Sequence, residues 1–368
     1  MYRRCGEQLR RRAGLIQRQV MKRESAPGCT DQTISKKVNS IGAAHGSTQA
    51  GRSCPASYGY GAKVFRRPPE IHAETLYVIG GLYGNPFTLD AIDALAAAET
   101  SNGVQPRLIF NGDFHWFDTD RSVFEEITRR VLRHTALRGN VETEIAGDDD
   151  GFGCGCAYPE NVTDAEVDRS NRIIKLLRDT ARQVPQLRKK LGSLPMHALA
   201  QVGSARVAIV HGDANTLAGW DFAHDRLADP EAKGALARAF REAQADIFAS
   251  SHTCLPALRR LSVDGRQCAV INNGAAGMPN FAESCFGIIS RIATTPAPET
   301  MPVLHEAAWR ISGCDVHVAA IAAKYDVAGW RSRFLSDWET GSPAHDSYFH
   351  RIEHGPAYSI AQAYAATD

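Results

Sequence analysis

Short apolar runs closed by glycine or polar residues alternate with longer stretches of helical period along most of this chain. Residues 75–81, Thr-Leu-Tyr-Val-Ile-Gly-Gly, predict a buried strand, and a helix is expected over 87–98. A second buried strand is expected over 107–110, ending at Asn111-Gly-Asp113. A helix over 123–134 and a short strand over 135–137 follow, closing at Gly139-Asn140. Hairpins are predicted around Gly203-Ser204 and around Asp264-Gly265, with a helix over 231–244 and a strand over 246–249 between them. Another strand is expected over 285–292. Strand, polar loop and helix in repeated alternation imply an α/β fold.

Two regions interrupt the alternation. Residues 147–159 are acidic, then rich in glycine and cysteine, and an amphipathic helix is expected over 164–183. The stretch 147–195 is therefore expected to be an insertion over the strand ends of a main domain covering 75–295. Residues 300–368 carry one expected strand, over 314–321, and two helical stretches with Tyr325, Trp330 and Trp338. They are expected to elaborate the same domain.

Residues 1–70 break from this pattern. The first part is basic, with Arg3, Arg4, Arg10, Arg11, Arg12, Arg18, Lys22 and Arg23, and has few acids. A transit peptide or an over-long start has this composition; a secretory signal would need an apolar stretch. Residues 24–67 stay rich in Ser, Gly and Lys, so 1–70 is expected to be a largely disordered extension.

Composition narrows the class. Of 368 residues, 43% are hydrophobic and 23% charged, an ordinary globular balance, and the formal net charge is +1. No global field selects nucleic acid or an anionic membrane, and no apolar run approaches a membrane span. Nine cysteines in a chain of this length form no compact disulfide framework, which suits a reducing, cytoplasmic setting.

Ligands of open α/β sheets bind at the carboxyl ends of strands. The residues there are Gly81-Leu-Tyr83, Asp113, Asn140, His211-Gly-Asp213, His252-Thr-Cys254 and Asn272-Asn-Gly-Ala-Ala-Gly277. An Asp, an Asn and two His at four successive strand ends make an oxygen-and-nitrogen donor set suited to Zn, Mn or Fe. A lone strand-end His is more often structural than a ligand; four compatible donors are harder to set aside.

Their order resembles the calcineurin-like metallophosphoesterases. That family's pattern runs Asp-x-His, Gly-Asp, Gly-Asn-His, a strand-end His, then Gly-His-x-His. Here the series is Gly81-Leu-Tyr83-Gly-Asn85, Gly112-Asp113, Gly139-Asn140-Val141, His211-Gly212 and Ser251-His252-Thr253-Cys254. The resemblance spans about residues 75–292. It implies a four-layer αββα sandwich and hydrolysis of a small-molecule phosphate ester by a metal-bound hydroxide; the charge balance and the apolar runs already argue for neither nucleic acid nor membrane as partner. It leaves the oligomeric state open.

The departures from the pattern are ordered. By resemblance, one metal would take Asp113, Asn140, His211 and His252, all present. The other would need ligands where this chain has Gly81, Tyr83 and Cys254. The resemblance therefore implies one divalent metal per chain. The family's leaving-group histidine is Val141 here, which cannot move a proton. His115 and Tyr83 are the candidates for catalytic and substrate-positioning work, against a structural histidine and a ring that plugs the vacated space. Cys254 is a candidate softer ligand, alone or with Cys154 or Cys156, against a small neutral filler beside a tight turn. Two alternatives follow: a metal enzyme of other chemistry built on these thiols, and a non-catalytic metal-binding relative.

Overall fold

The computed structural model describes residues 49–148 and 151–365. In chain order its elements are β1 (Ile71–Ala73), β2 (Thr75–Ile79), α1 (Pro86–Ser101), β3 (Arg107–Asn111), α2 (Arg121–Val131), β4 (Thr135–Leu137) and α3 (Asn140–Ala146). Then come α4 (Asp164–Arg182), α5 (Pro185–Gly192), β5 (His197–Val202), β6 (Ala205–Val210), α6 (His224–Ala228), α7 (Lys233–Ala243) and β7 (Ile247–Ser250). The chain continues through β8 (Pro256–Val263), β9 (Arg266–Asn273), β10 (Gly287–Ala293), β11 (Val303–Ile311), β12 (Cys314–Ala323), α8 (Val327–Asp337), α9 (Pro343–His354) and α10 (Ile360–Ala363).

The strands form two six-stranded sheets, ordered β1-β5-β6-β7-β9-β8 and β11-β12-β10-β2-β3-β4. Alternation along each strand decides the layers. On β2, Leu76 and Val78 pack with Ile209 of β6 and Ile271 of β9 in a core between the sheets. Tyr77 and Ile79 face the other way, into a core with Leu89 of α1, Phe124 of α2 and Ile174 of α4. On the opposite sheet, Ala208, Phe248 and Val270 pack outward against Leu236 and Phe240 of α7. Both faces of the central strands β2, β7 and β10 are covered, so their apolar runs lack a polar side. The result is the expected four-layer αββα sandwich.

Two sets of parallel strands, β2-β3-β4 and β6-β7-β9, end at the same edge of the sandwich. Buried amides stitch the sheets together there. Asn111 Nδ2 donates to the Val210 carbonyl at 2.7 Å, and Asn273 Nδ2 donates to the Gly80 carbonyl at 3.0 Å. Asn85 caps α1 by accepting from Phe87 N and Thr88 N, with Pro86 as first helical residue.

Three expectations need correction. Residues 49–70 are not a loose extension. Tyr58 and Phe65 lie in short 3₁₀ turns and are 1% and 0% exposed, while Ile71–Ala73 pairs parallel with β5. Aromatic residues scattered among polar ones carry that anchoring, a pattern with neither helix nor strand period. The remainder of the expected extension, 1–48, lies outside the described residues. Second, the C-terminal region contributes two strands: β11 precedes β12 and extends the sheet through β10. Third, Asn140 is the first residue of a helix, α3, that the sequence pattern did not predict.

Candidate metal centre

Four polar side chains converge at the shared strand edge. His211 Nε2 lies 3.3 Å from Asp113 Oδ1, 3.1 Å from Asn140 Oδ1 and 3.2 Å from His252 Nδ1. Ligand atoms of Asp113, His211 and His252 all lie within 4.8 Å of one another. All four residues are buried. Donors about 2.0–2.1 Å from a tetrahedral ion stand roughly 3.3–3.4 Å apart, so these spacings fit a bound cation.

Backbone carbonyls decide which atoms face inward. His211 Nδ1 lies 2.8 Å from the Asn111 carbonyl, and His252 Nε2 lies 3.1 Å from the Cys156 carbonyl. A carbonyl only accepts, so each of those nitrogens carries the hydrogen. Asn140 Nδ2 donates to the Cys154 carbonyl at 2.9 Å, which turns its Oδ1 inward. Four acceptors thus share one point. Either a cation or a proton on His211 must sit among them.

The electrostatics follow from this crowding. Burial opposes ionisation of Asp113, but His211 outweighs it and holds the carboxyl below its ordinary value. Burial would likewise lower His211; the Asp113 charge raises it instead. His252 drops to about 4, through burial first and the adjacent His211 second. Glu142 is raised by burial and then by Asp113, although its carboxylate accepts from the backbone nitrogens of Asp113, Phe114 and Gly139 at 2.8–2.9 Å. Glu142 therefore locks the Asp113 turn to the start of α3.

No protein-family model matches the chain, and no curated protein matches it. Solved structures do. A hypothetical protein, PH1004 from Pyrococcus horikoshii OT3, superposes with a TM-score of 0.53 at 15% identity, covering 77% of this chain and 99% of that one. A metallophosphoesterase from Sphaerobacter thermophilus gives 0.47 at 16% identity, over 77% and 100%. Such identities speak for the fold alone. The sheet order, the outer helices and the ordered strand-end series agree with it. The chain shares the fold of the PH1004 protein, built here as two six-stranded sheets between layers of helices.

The positions where the resemblance would place a second set of ligands look different. Tyr83 is buried, and its hydroxyl lies 2.5 Å from Cys254 Sγ, which in turn contacts the His252 carbonyl at 3.2 Å. A Cβ on Gly81 would lie 2.8 Å from Tyr83 Cε2 and 3.3 Å from its hydroxyl. The Tyr83 ring thus fills the space a Gly81 side chain would enter. Burial first, then the neighbouring Cys254, pushes the Tyr83 phenol well up; burial likewise raises the Cys254 thiol. Tyr83, Asp113 and Cys254 all have positive φ, at 53°, 56° and 63°. Three non-glycine residues in that sparsely populated region at one site is the clustering expected where function imposes strain.

The structure does not bring His115 into the group. Its Nδ1 pairs with Asp118 at 2.6 Å, its Nε2 meets Thr128 Oγ1 at 3.0 Å, and its ring stacks on Phe124. Both nitrogens are committed, so acid or base work is replaced by a buried structural role. Asp118 is used in that pair, and Asp120 alone caps α2. Nor does the Cys254 sulfur join the close donor group, since Tyr83 and the His252 carbonyl take it up. Cys154 and Cys156 approach through their carbonyls, and the Cys156 sulfur meets the Asn140 NH₂ at 3.4 Å; neither sulfur joins the close donor group.

Proposed function

We propose that this protein hydrolyses a small phosphate ester with one divalent metal, Zn, Mn or Fe, held by Asp113, Asn140, His211 and His252. The observation that carries the reading is the convergence of four inward-facing acceptors on one point, with His211 Nε2 3.1–3.3 Å from the other three. A bound divalent ion supplies positive charge that polarises a phosphoryl oxygen and acidifies water.

The chain's own residues do the rest. Asp113 brings the negative charge that keeps the donor set selective for a cation. Burial of all four donors excludes bulk water and strengthens each electrostatic contact. Tyr83, kept neutral by burial, offers a hydroxyl to a substrate oxygen in place of the proton that Val141 cannot supply. The Tyr83–Cys254 pair stands where a second ion's ligands would be, which supports one ion rather than two.

The thiol-based alternative has less support, because no sulfur enters the close donor group among the described residues. No helix among the described residues is long and apolar enough to cross a membrane. Elemental analysis of purified full-length protein, joined to a screen of phosphate esters, tests the proposal. One tightly held ion and turnover of at least one ester are expected. Two tight equivalents would overturn the single-metal part. One ion with no turnover of any ester would favour the non-catalytic reading.

A further inference from the structure

The insertion does more than cover the strand ends. Its loop places two backbone carbonyls against the donor group: Cys154 O accepts from Asn140 Nδ2 at 2.9 Å, and Cys156 O accepts from His252 Nε2 at 3.1 Å. Those bonds select which atom each residue turns inward. Without the first, the Asn140 NH₂ keeps only a 3.4 Å contact with Cys156 Sγ and is held less firmly away from the cation position. Without the second, the His252 ring loses the constraint that keeps the hydrogen on Nε2.

The loop is itself held from outside. Asn171, on α4, accepts from Cys154 N at 3.0 Å and donates to the Ala50 carbonyl at 3.0 Å. Gly51 N donates to the Phe152 carbonyl and Tyr158 N to the Gly51 carbonyl, closing a short ladder between the N-terminal segment and the loop. The fit around Asn171 is close: a Cβ on Gly153, whose φ is 60°, would stand 2.2 Å from Asn171 Oδ1. At the other end, Trp220 Nε1 donates to the same Cys156 carbonyl at 2.9 Å, and its ring packs edge-on to His252.

Resting on the metal centre proposed above, we propose that Asn171 and Trp220 are positioning residues of that centre. They act through the Cys154 and Cys156 carbonyls, so that order in the loop and affinity for the metal are a single equilibrium. Neither side chain touches the ion. Each fixes a carbonyl that fixes a ligand; partners bonded directly to a ligand, as the two carbonyls are, typically alter metal affinity by about 10–100-fold, and each side chain sets part of that effect. By linkage, the ion must order the loop as much as the loop strengthens the site.

The test uses full-length protein stripped with chelator and titrated with Co²⁺, whose visible absorption reports both affinity and coordination. Asn171→Leu and Trp220→Phe are each expected to bind more weakly than wild type, by up to about 10-fold, the lower end of the range for direct ligand partners, with an altered spectrum. Amide hydrogen exchange over 152–158 in wild-type protein is expected to slow when Co²⁺ is added. Should Asn171→Leu fail to fold, Trp220→Phe and the wild-type exchange experiment carry the same test. Unchanged affinity and spectrum in the folded variants would overturn the proposal, as would exchange indifferent to the ion. Wild-type protein that takes up no Co²⁺ would instead overturn the metal centre itself, an outcome separate from the other two.

Discussion

His252 Nδ1 lies 3.2 Å from His211 Nε2, and each ring commits its other nitrogen to a backbone carbonyl. Two lone pairs pointing at each other across that distance require a cation or a proton between them. The Asp113 charge raises His211 above its ordinary 6.5, whereas His252 falls to about 4.

Metal uptake should therefore displace one proton, from His211, over most of the acidic range. Between about 4 and the raised value of His211, affinity should drop about tenfold per pH unit. Below about 4 both histidines compete and the slope should double. Above the His211 value affinity should level off. Calorimetric titration in buffers of different ionisation enthalpy counts the protons. An affinity constant from pH 5 to 8 would contradict the assignment of His211.

His211→Ala should weaken metal binding by more than about 100-fold, whereas Tyr83→Phe, which keeps the ring in place, should leave uptake intact. His115→Ala should also leave uptake intact while lowering stability by about 1–3 kcal/mol, because it strands the buried Asp118 carboxyl in the core. Elemental analysis and urea unfolding of the three variants separate these outcomes. Equal metal loss in all three would mean the site is misplaced.

A second ion should become possible when the filler is removed. The triple change Gly81→Asp, Tyr83→His and Cys254→His replaces the ring that occupies the Gly81 side-chain space and supplies three donors. Positive φ at Gly81, 68°, makes the aspartate strained, so the second ion should bind less tightly than the first. Two equivalents by elemental analysis are expected. A single equivalent would show that more than these three positions separates the chain from a two-metal site.

The N-terminal segment should matter for stability from residue 49 onward. Phe65 is fully buried between Tyr60, His197 and Phe248, so Phe65→Ala should cost about 3–5 kcal/mol. Chemical denaturation measures it. A loss under about 1 kcal/mol would mean this segment adds little to the core.

The sequence by itself determined the α/β alternation, the strand ends and the placing of Asp113, Asn140, His211 and His252 at four of those ends. Those follow from local apolar periodicity and from residue types at fixed places on a known framework. It also marked Gly81, Tyr83 and Cys254 as departures. What those departures became was decided only in three dimensions. The Tyr83 ring meets Cys254 across 171 positions of chain, and no periodicity encodes such a meeting. His115 carried the same letter whether it served catalysis or the core; its pairing with Asp118 and Thr128 settled that. The anchoring of Tyr58 and Phe65 was hidden because isolated aromatics in a polar stretch gain their burial from distant partners. The role of the Cys154-Gly155-Cys156 turn lies in its carbonyls, which every residue possesses. Only the tertiary fold, by aiming them at Asn140 and His252, distinguishes them from any others.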